Sequence, residues 1–204
     1  MTRASSGETR ATTRRILEAA ARRIADAGAA ALSVHDVAVD AGVSKALVHY
    51  HFHDKDTLLA SLVEHLVTGL VTRERDALAA YAGRHDPLAV DALWEWVEGE
   101  LRRGEMRVLL ELDAYRGEAV RAAARRAATL RRDAAAETIT RLLAILDLHP
   151  RVAPELLARV AVAFLDGLAI DAALAPPSGN APNEASAPRV AFDVFWLAML
   201  SLAE

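Results

Sequence analysis

Residues 33–55 read Ser33-Val34-His35-Asp36-Val37-Ala38-Val39-Asp40-Ala41-Gly42-Val43-Ser44-Lys45-Ala46-Leu47-Val48-His49-Tyr50-His51-Phe52-His53-Asp54-Lys55, and the fold turns on how this run breaks into elements. Ser33 and Asp36 stand at the S-x-x-D spacing of a capping box, which opens a short helix with Val34, Val37, Ala38 and Ala41 on its buried face. Gly42 can take the left-handed backbone that ends such a helix, and Val43 can turn into the core. Ser44 is a good N-cap for a second helix, whose inner side carries Val48 and Phe52. Asp54 caps the next one, with Asp56 in its first turn, where the helix dipole favours an acid. The stretch is therefore helix, tight glycine turn, helix.

Outward from it, almost everything reads as helix. Ile16, Leu17, Ala20 and Ile24 repeat at helical spacing, which predicts a helix over about 12–27 with Gly28 at its end, preceded by a flexible polar tail at 1–10. Leu58, Leu59, Leu62, Val63 and Leu66 mark a helix from 54 to about 81, and further helices follow at about 87–101, 105–116, 118–147 and 154–174. Residues 175–188, APPSGNAPNEASAP, hold four of the seven prolines and no large apolar side chain, the composition of a flexible loop. A last helix at about 189–203 is apolar nearly all round, as is much of 154–174. The two are expected to pack against their copies in a symmetric homodimer. The expected class is all-α: an N-terminal three-helix helix-turn-helix domain over 1–54, then a helical effector-binding and dimerisation domain over 55–204.

A chain of 204 residues, 53% of them hydrophobic, can bury a real core. It has no cysteine, which excludes disulfides, thiolate metal sites and cysteine nucleophiles. No run has the length and apolarity of a membrane span or signal peptide, so a soluble, cytoplasmic protein is expected. The net charge of -4 argues against nucleic acid, but its distribution does not. Residues 1–55 hold eight Lys or Arg against six Asp or Glu, and residues 56–204 hold sixteen against twenty-two. A mildly basic front end precedes an acidic body. The only two lysines, Lys45 and Lys55, flank the segment Val48-His49-Tyr50-His51-Phe52-His53.

Three of the seven histidines alternate in that segment, and three functions compete for them. A metal site would need a shared face, but on a helix only His49 and His53 are four apart. No carboxylate or cysteine completes the set, and His35 on the preceding helix is the one residue that could join. A catalytic triad of Ser44, His49 and Asp54 can be nominated, yet no nucleophile elbow or oxyanion-forming glycine run accompanies it. The third reading uses the whole stretch: a short helix and a Gly turn that place a second helix in the DNA major groove. Lys45, Leu47, His49 and Tyr50 then face outward as a cation, an apolar group for thymine methyls, and polar rings for base edges or phosphates. Lys55, beside the free backbone N–H groups of the next helix, makes a phosphate clamp. Arg14 and Arg15 are equally readable as phosphate contacts or as solvated charges of the first helix.

Residues from about 14 to 62, read as RRILEAA, then Gly28, then SVHDVA, AGVSKALVHYHF and DKDTLL, resemble the DNA-binding domain of TetR-family transcriptional regulators. The resemblance implies that Lys45, Ala46 and Leu47, with Ser44 opening their helix, fall where the family reads bases. It places Tyr50 at a ring position for base or backbone, and His49 where a tyrosine usually meets phosphate. His51 and Lys55 become further backbone contacts, and His35 a base-facing or phosphate-facing position on the first helix of the pair. Ala46 stands where glycine or proline is common, and His49 replaces tyrosine, so the operator sequence cannot be borrowed. The implied protein is no enzyme and carries no cofactor or metal. It is a homodimeric regulator, usually a repressor, of a near-palindromic operator in double-stranded DNA, released by an unidentified small-molecule effector. Trp94, Met106, Leu109, Leu110, Asp113 and Tyr115 could line the effector pocket or simply pack as core. Asp166, in the apolar run AFLDGL, faces that pocket or a dimer partner and needs a hydrogen-bond partner either way. The rival reading is a helical small-molecule or metal sensor, an interaction module without specific DNA binding.

Overall fold

The computed structural model describes residues 2–82, 86–174 and 187–204, and among them the regular structure is helical. The helices are α1 (Thr2–Ala27), α2 (Val34–Asp40), α3 (Lys45–Phe52), α4 (Lys55–Ala77), α5 (Ala89–Arg103), α6 (Glu105–Asp113), α7 (Glu118–Ile145), α8 (Pro154–Leu174) and α9 (Ala187–Leu200). A 3-10 turn at Ala79–Tyr81 follows α4, which stops at Ala77 where a helix to Tyr81 was expected. α1 begins at Thr2, well before the expected 12: residues 2–11 lack an apolar stripe and include Gly7, but no proline interrupts them, and such a polar segment can extend an existing helix. The loop expected at 175–188 lies largely outside the described residues. Its last two, Ala187 and Pro188, belong to the first turn of α9, where a proline is tolerated because its missing N–H has no helical partner.

Two compact units emerge: residues 1–68 with 108–127, and residues 69–107 with 128–204. The division expected after residue 54 falls inside the first unit, for reasons that lie far apart in sequence. Glu111 accepts a hydrogen bond from the Ala29 N–H just past α1, Arg126 pairs with Glu64 at 2.5 Å, and the Tyr115 hydroxyl bonds the Asp56 carboxylate. Residues of α6 and early α7 thereby belong with the N-terminal helices.

Within this unit α1 packs on α2 and α2 on α3. Most side chains predicted to face inward do so: Ile16, Leu17, Ala20, Ile24, Val37, Ala38, Ala41, Val48 and Phe52 are buried, whereas Val34 and Val43 are only half-buried. Gly28 and Gly42 take φ of 84° and 62°, the left-handed backbone that ends α1 and turns the chain between α2 and α3. The second unit has its own core, in which Trp94 and Val97 of α5, Ile139 and Leu142 of α7, Leu157 and Leu168 of α8, and Phe192, Trp196 and Met199 of α9 are buried together.

Candidate DNA interface and candidate ligand cavity

The turn between α2 and α3 is held from α1. The Arg15 guanidinium donates to the carbonyls of Ala41 and Gly42, and Arg23 grips Asp40 through two hydrogen bonds of 2.5 and 2.9 Å. Arg15 thus stabilises the C-terminal end of α2, where the last carbonyls lack helical partners. Arg14, by contrast, makes only a surface pair with Glu18 at 3.6 Å.

Ser44 caps α3 as expected, its hydroxyl oxygen accepting from the Leu47 N–H at 3.1 Å. Asp54 does the same for α4, accepting from the Thr57 N–H at 2.7 Å, and that backbone hydrogen bond holds its carboxyl below the ordinary carboxylate value. Ser33 stands at the N-cap of α2 with extended backbone, but its side chain makes no capping hydrogen bond, so only the position of the expected capping box is realised.

With Val48 and Phe52 buried at 1% and 3% exposure, the opposite side of α3 faces outward. Lys45, Ala46, His49 and Tyr50 are exposed, Tyr50 at 76%, while Leu47 is half-buried. His51 is half-buried as well: its Nδ1 lies 3.4 Å from the Thr13 hydroxyl of α1, and its ring meets the edge of Tyr50 at 5.5 Å. Lys55 reaches back to donate to the Ala30 carbonyl at 3.3 Å. His35 is exposed on α2. One turn further along α2 comes Val39, 62% exposed and assigned to no face in the sequence reading. Its signal was its place outside the buried stripe of α2, four residues beyond His35.

His53 has a definite structural role. Its φ of 61° and ψ of −56°, with the Asp54 N–H donating to the Phe52 carbonyl at 2.6 Å, form a three-residue γ-turn, a rare and strained geometry. It reverses the chain between α3 and α4 and leaves the ring 6.4 Å from that of His49.

The residues nominated for an effector pocket do not form one set. Leu110, Asp113 and Tyr115 belong to the first unit, with Leu109 beside them; Trp94, Met106 and Asp166 belong to the second. Trp94 is core, 5.2 Å from the Phe192 ring and under the Arg189 guanidinium at 5.5 Å. Asp166 finds the hydrogen-bond partner it needs in Arg131 of α7, at 2.5 Å.

The second unit instead holds an apolar cavity lined by Glu74, Trp96, Thr138, Phe164, Phe195 and Trp196, among others, and by none of the nominated residues. Glu74 is 6% exposed. Burial pushes its carboxyl up to about 7, against the hydrogen bond from Thr138 and the nearby Arg131 charge, which lower it. Glu74 could have been found in the sequence: it lies four residues after Leu70 and four before Leu78, in line with the buried stripe of α4. The surrounding run Arg73-Glu74-Arg75-Asp76 disguises it as a solvated charge cluster.

Comparison with known proteins bears on the N-terminal helices and on the fold. Residues 16–62 match the family described as bacterial regulatory proteins, tetR family. The chain is 28% identical over 122 residues to the HTH-type transcriptional regulator AcrR of Shigella flexneri, a match covering 59% of this chain and 56% of that protein. It is 33% identical over 107 residues to the HTH-type transcriptional repressor Rv3405c of Mycobacterium tuberculosis, covering 50% and 57%. It spans little more than half the length of these curated relatives. Over nearly its whole length it shares the fold of a crystallised TetR transcription regulator from Haloarcula marismortui, with a TM-score of 0.71, 21% identity and coverage of 95% and 98%. Residues 16–62 thus match the tetR family of bacterial regulatory proteins in sequence, and nearly the whole chain shares the fold of the crystallised regulator.

Proposed function

We propose that the chain is a DNA-binding transcriptional regulator, acting as a homodimeric repressor that an effector releases from a near-palindromic operator. The observation that carries this reading is α3: a helix pinned by Val48 and Phe52 that turns Lys45, Ala46, His49 and Tyr50 to solvent as one face. Such a helix after a tight turn enters the major groove, and two copies about one helical turn apart read a palindrome. Lys45 and Tyr50 offer base contacts; His49, His51, His35 and Lys55 offer phosphate contacts. Lys55 is steadied by the Ala30 carbonyl, which leaves its remaining ammonium donors for phosphate, and the His51 ring is placed beside Thr13.

Two measurements test the DNA reading. Footprinting on the DNA beside the chain's own gene should show a protected near-palindrome, and its absence counts against a regulator. Tyr50→Ala and Lys55→Ala should each weaken operator binding with thermal stability preserved. The lysine variant should also lower the slope of log affinity against log salt by about one, the loss of a single phosphate contact.

The dimer rests on apolar surface that α8 and α9 leave in water: Leu156, Val160 and Ile170 of α8, and Val190, Val194 and Leu197 of α9 are 49–69% exposed. Large apolar side chains left in water on two neighbouring helices suit an interface. Sedimentation equilibrium at micromolar concentration should give twice the chain mass, and a monomer there would refute it. Among the described residues no helix is long and apolar enough to cross a membrane.

The effector acts by population shift, preferring a conformation that does not fit DNA. α4 is the natural lever, because it carries Lys55 in its first turn and Glu74 near its other end.

A further inference from the structure

Two tryptophans that line the cavity beside Glu74 carry buried polar atoms that the fold leaves unsatisfied. The indole Nε1 atoms of Trp96 and Trp196 are both buried and have no hydrogen-bond partner among the described residues. Both residues line the cavity, from α5 and α9 respectively, and Trp196 is only 5% exposed. An indole N–H donates and cannot accept, so a guest that satisfies it must carry an acceptor. A buried donor without a partner is costly, which gives such a guest a reason to bind there. The remaining walls are apolar: Leu93, Val97, Ile139 and Leu165 among them, with Phe164 and Phe195 stacked at 4.3 Å and nearly parallel.

We propose that this cavity is the effector site, and that it takes a flat, uncharged, lipophilic molecule of one or two rings whose carbonyl-type oxygen accepts from the Trp96 and Trp196 indole N–H groups. The proposal rests on the regulator reading above and names the chemistry of its effector. Glu74 does not impose a cation: burial favours its neutral form, and the Thr138 hydroxyl already serves one of its oxygens. The nearby guanidinium of Arg131 is held by Asp166 and presents no free cation to the site. The cavity has a volume of about 30 Å³, less than a single ring needs, so a bicyclic guest requires the half-buried Phe164–Phe195 pair at its wall to move aside.

Three bicyclic probes of matched size separate the alternatives on the full-length protein: coumarin, with a lactone carbonyl; naphthalene, with no acceptor; and N-methylquinolinium, a cation with no acceptor. Coumarin should bind at least about ten-fold more tightly than either of the others, as two hydrogen bonds to buried donors imply. In ¹H–¹⁵N spectra it should move two of the three indole signals downfield, those of Trp96 and Trp196, and leave that of Trp94. Trp96→Phe and Trp196→Phe, which keep an aromatic ring and remove the donor, should each weaken coumarin about three- to ten-fold and leave naphthalene unaffected. Saturating coumarin should also lift the operator footprint. Equal affinity for coumarin and naphthalene, a preference for N-methylquinolinium that Glu74→Gln abolishes, or a shift confined to the Trp94 signal would each overturn the proposal. Coumarin bound with the footprint unchanged would overturn the effector role. A missing footprint in ligand-free protein overturns the regulator reading instead, whatever the probes do.

Discussion

Val48→Asp is expected to destabilise the first unit by about 3–5 kcal/mol and to abolish operator binding, because it places an unpaired carboxylate where the parent side chain is 1% exposed. Nothing near that position can answer the charge. The inner side of α3 is Val48 and Phe52, and the α1 and α2 side chains buried in the same unit are apolar. The unit must therefore open locally or hold the acid protonated, and either costs most of the helix's packing. In thermal unfolding this corresponds to a fall of roughly 12–40 °C in the transition that reports the first unit. Val48→Thr separates charge from shape: an isosteric hydroxyl should cost only about 1–3 kcal/mol. Tyr50→Ala is the opposite case, since its ring is 76% exposed and such surface substitutions stay within about 0.5 kcal/mol. Adjacent turns of one short helix should thus divide cleanly into a residue that holds the fold and one that meets DNA. Equal losses of thermal stability in Val48→Asp, Tyr50→Ala and Lys55→Ala would refute that division.

Such a division was readable from sequence because it depends on local spacing. The caps at Ser44 and Asp54, the glycine turn at Gly42 and the inward pair four residues apart each follow from residues within a few positions of one another, and each is realised. Ser33 shows the limit even there, since its spacing to Asp36 is correct and its hydroxyl makes no cap. Partners distant in sequence were invisible. The Ala30 carbonyl that holds Lys55, the Thr13 hydroxyl beside His51 and the α6 carboxylate of Glu111 on Ala29 are separated from their partners by 25, 38 and 82 positions. The same distance effect drew the expected domain boundary too early. In the second unit the reading looked for aromatics and acids near one another in the chain, and found Trp94 and Asp166, which the fold uses for packing and pairing. The cavity draws instead on α4, α5, α7, α8 and α9, and its acid was concealed among neighbours of both signs.

Glu74→Gln should flatten the stability of the protein between about pH 4.5 and pH 7. The carboxyl has an ordinary value of 4.5 and is pushed up to about 7 in the folded chain by burial. Between those values the folded protein holds a proton that the unfolded chain has released, so stability is fully present below 4.5 and falls as pH rises through the folded value. At about 1.4 kcal/mol per unit, the loss is on the order of 3 kcal/mol, with little relief from solvent at 6% exposure. The groups that set it are Thr138, Arg131 and Arg75, which favour the charged form, and Glu137, which opposes it. None of them outweighs desolvation. The introduced amide would keep the shape, accept from Thr138 and carry no charge, so the variant should match the parent near pH 4.5 and exceed it by about 3 kcal/mol at pH 8. Denaturant unfolding of both proteins across this range isolates the effect, because every other titrating group is common to the two and cancels in the difference. A parent and variant that run parallel from pH 4.5 to 8 would mean that Glu74 is solvated in the working protein, and that the cavity it lines is open to water.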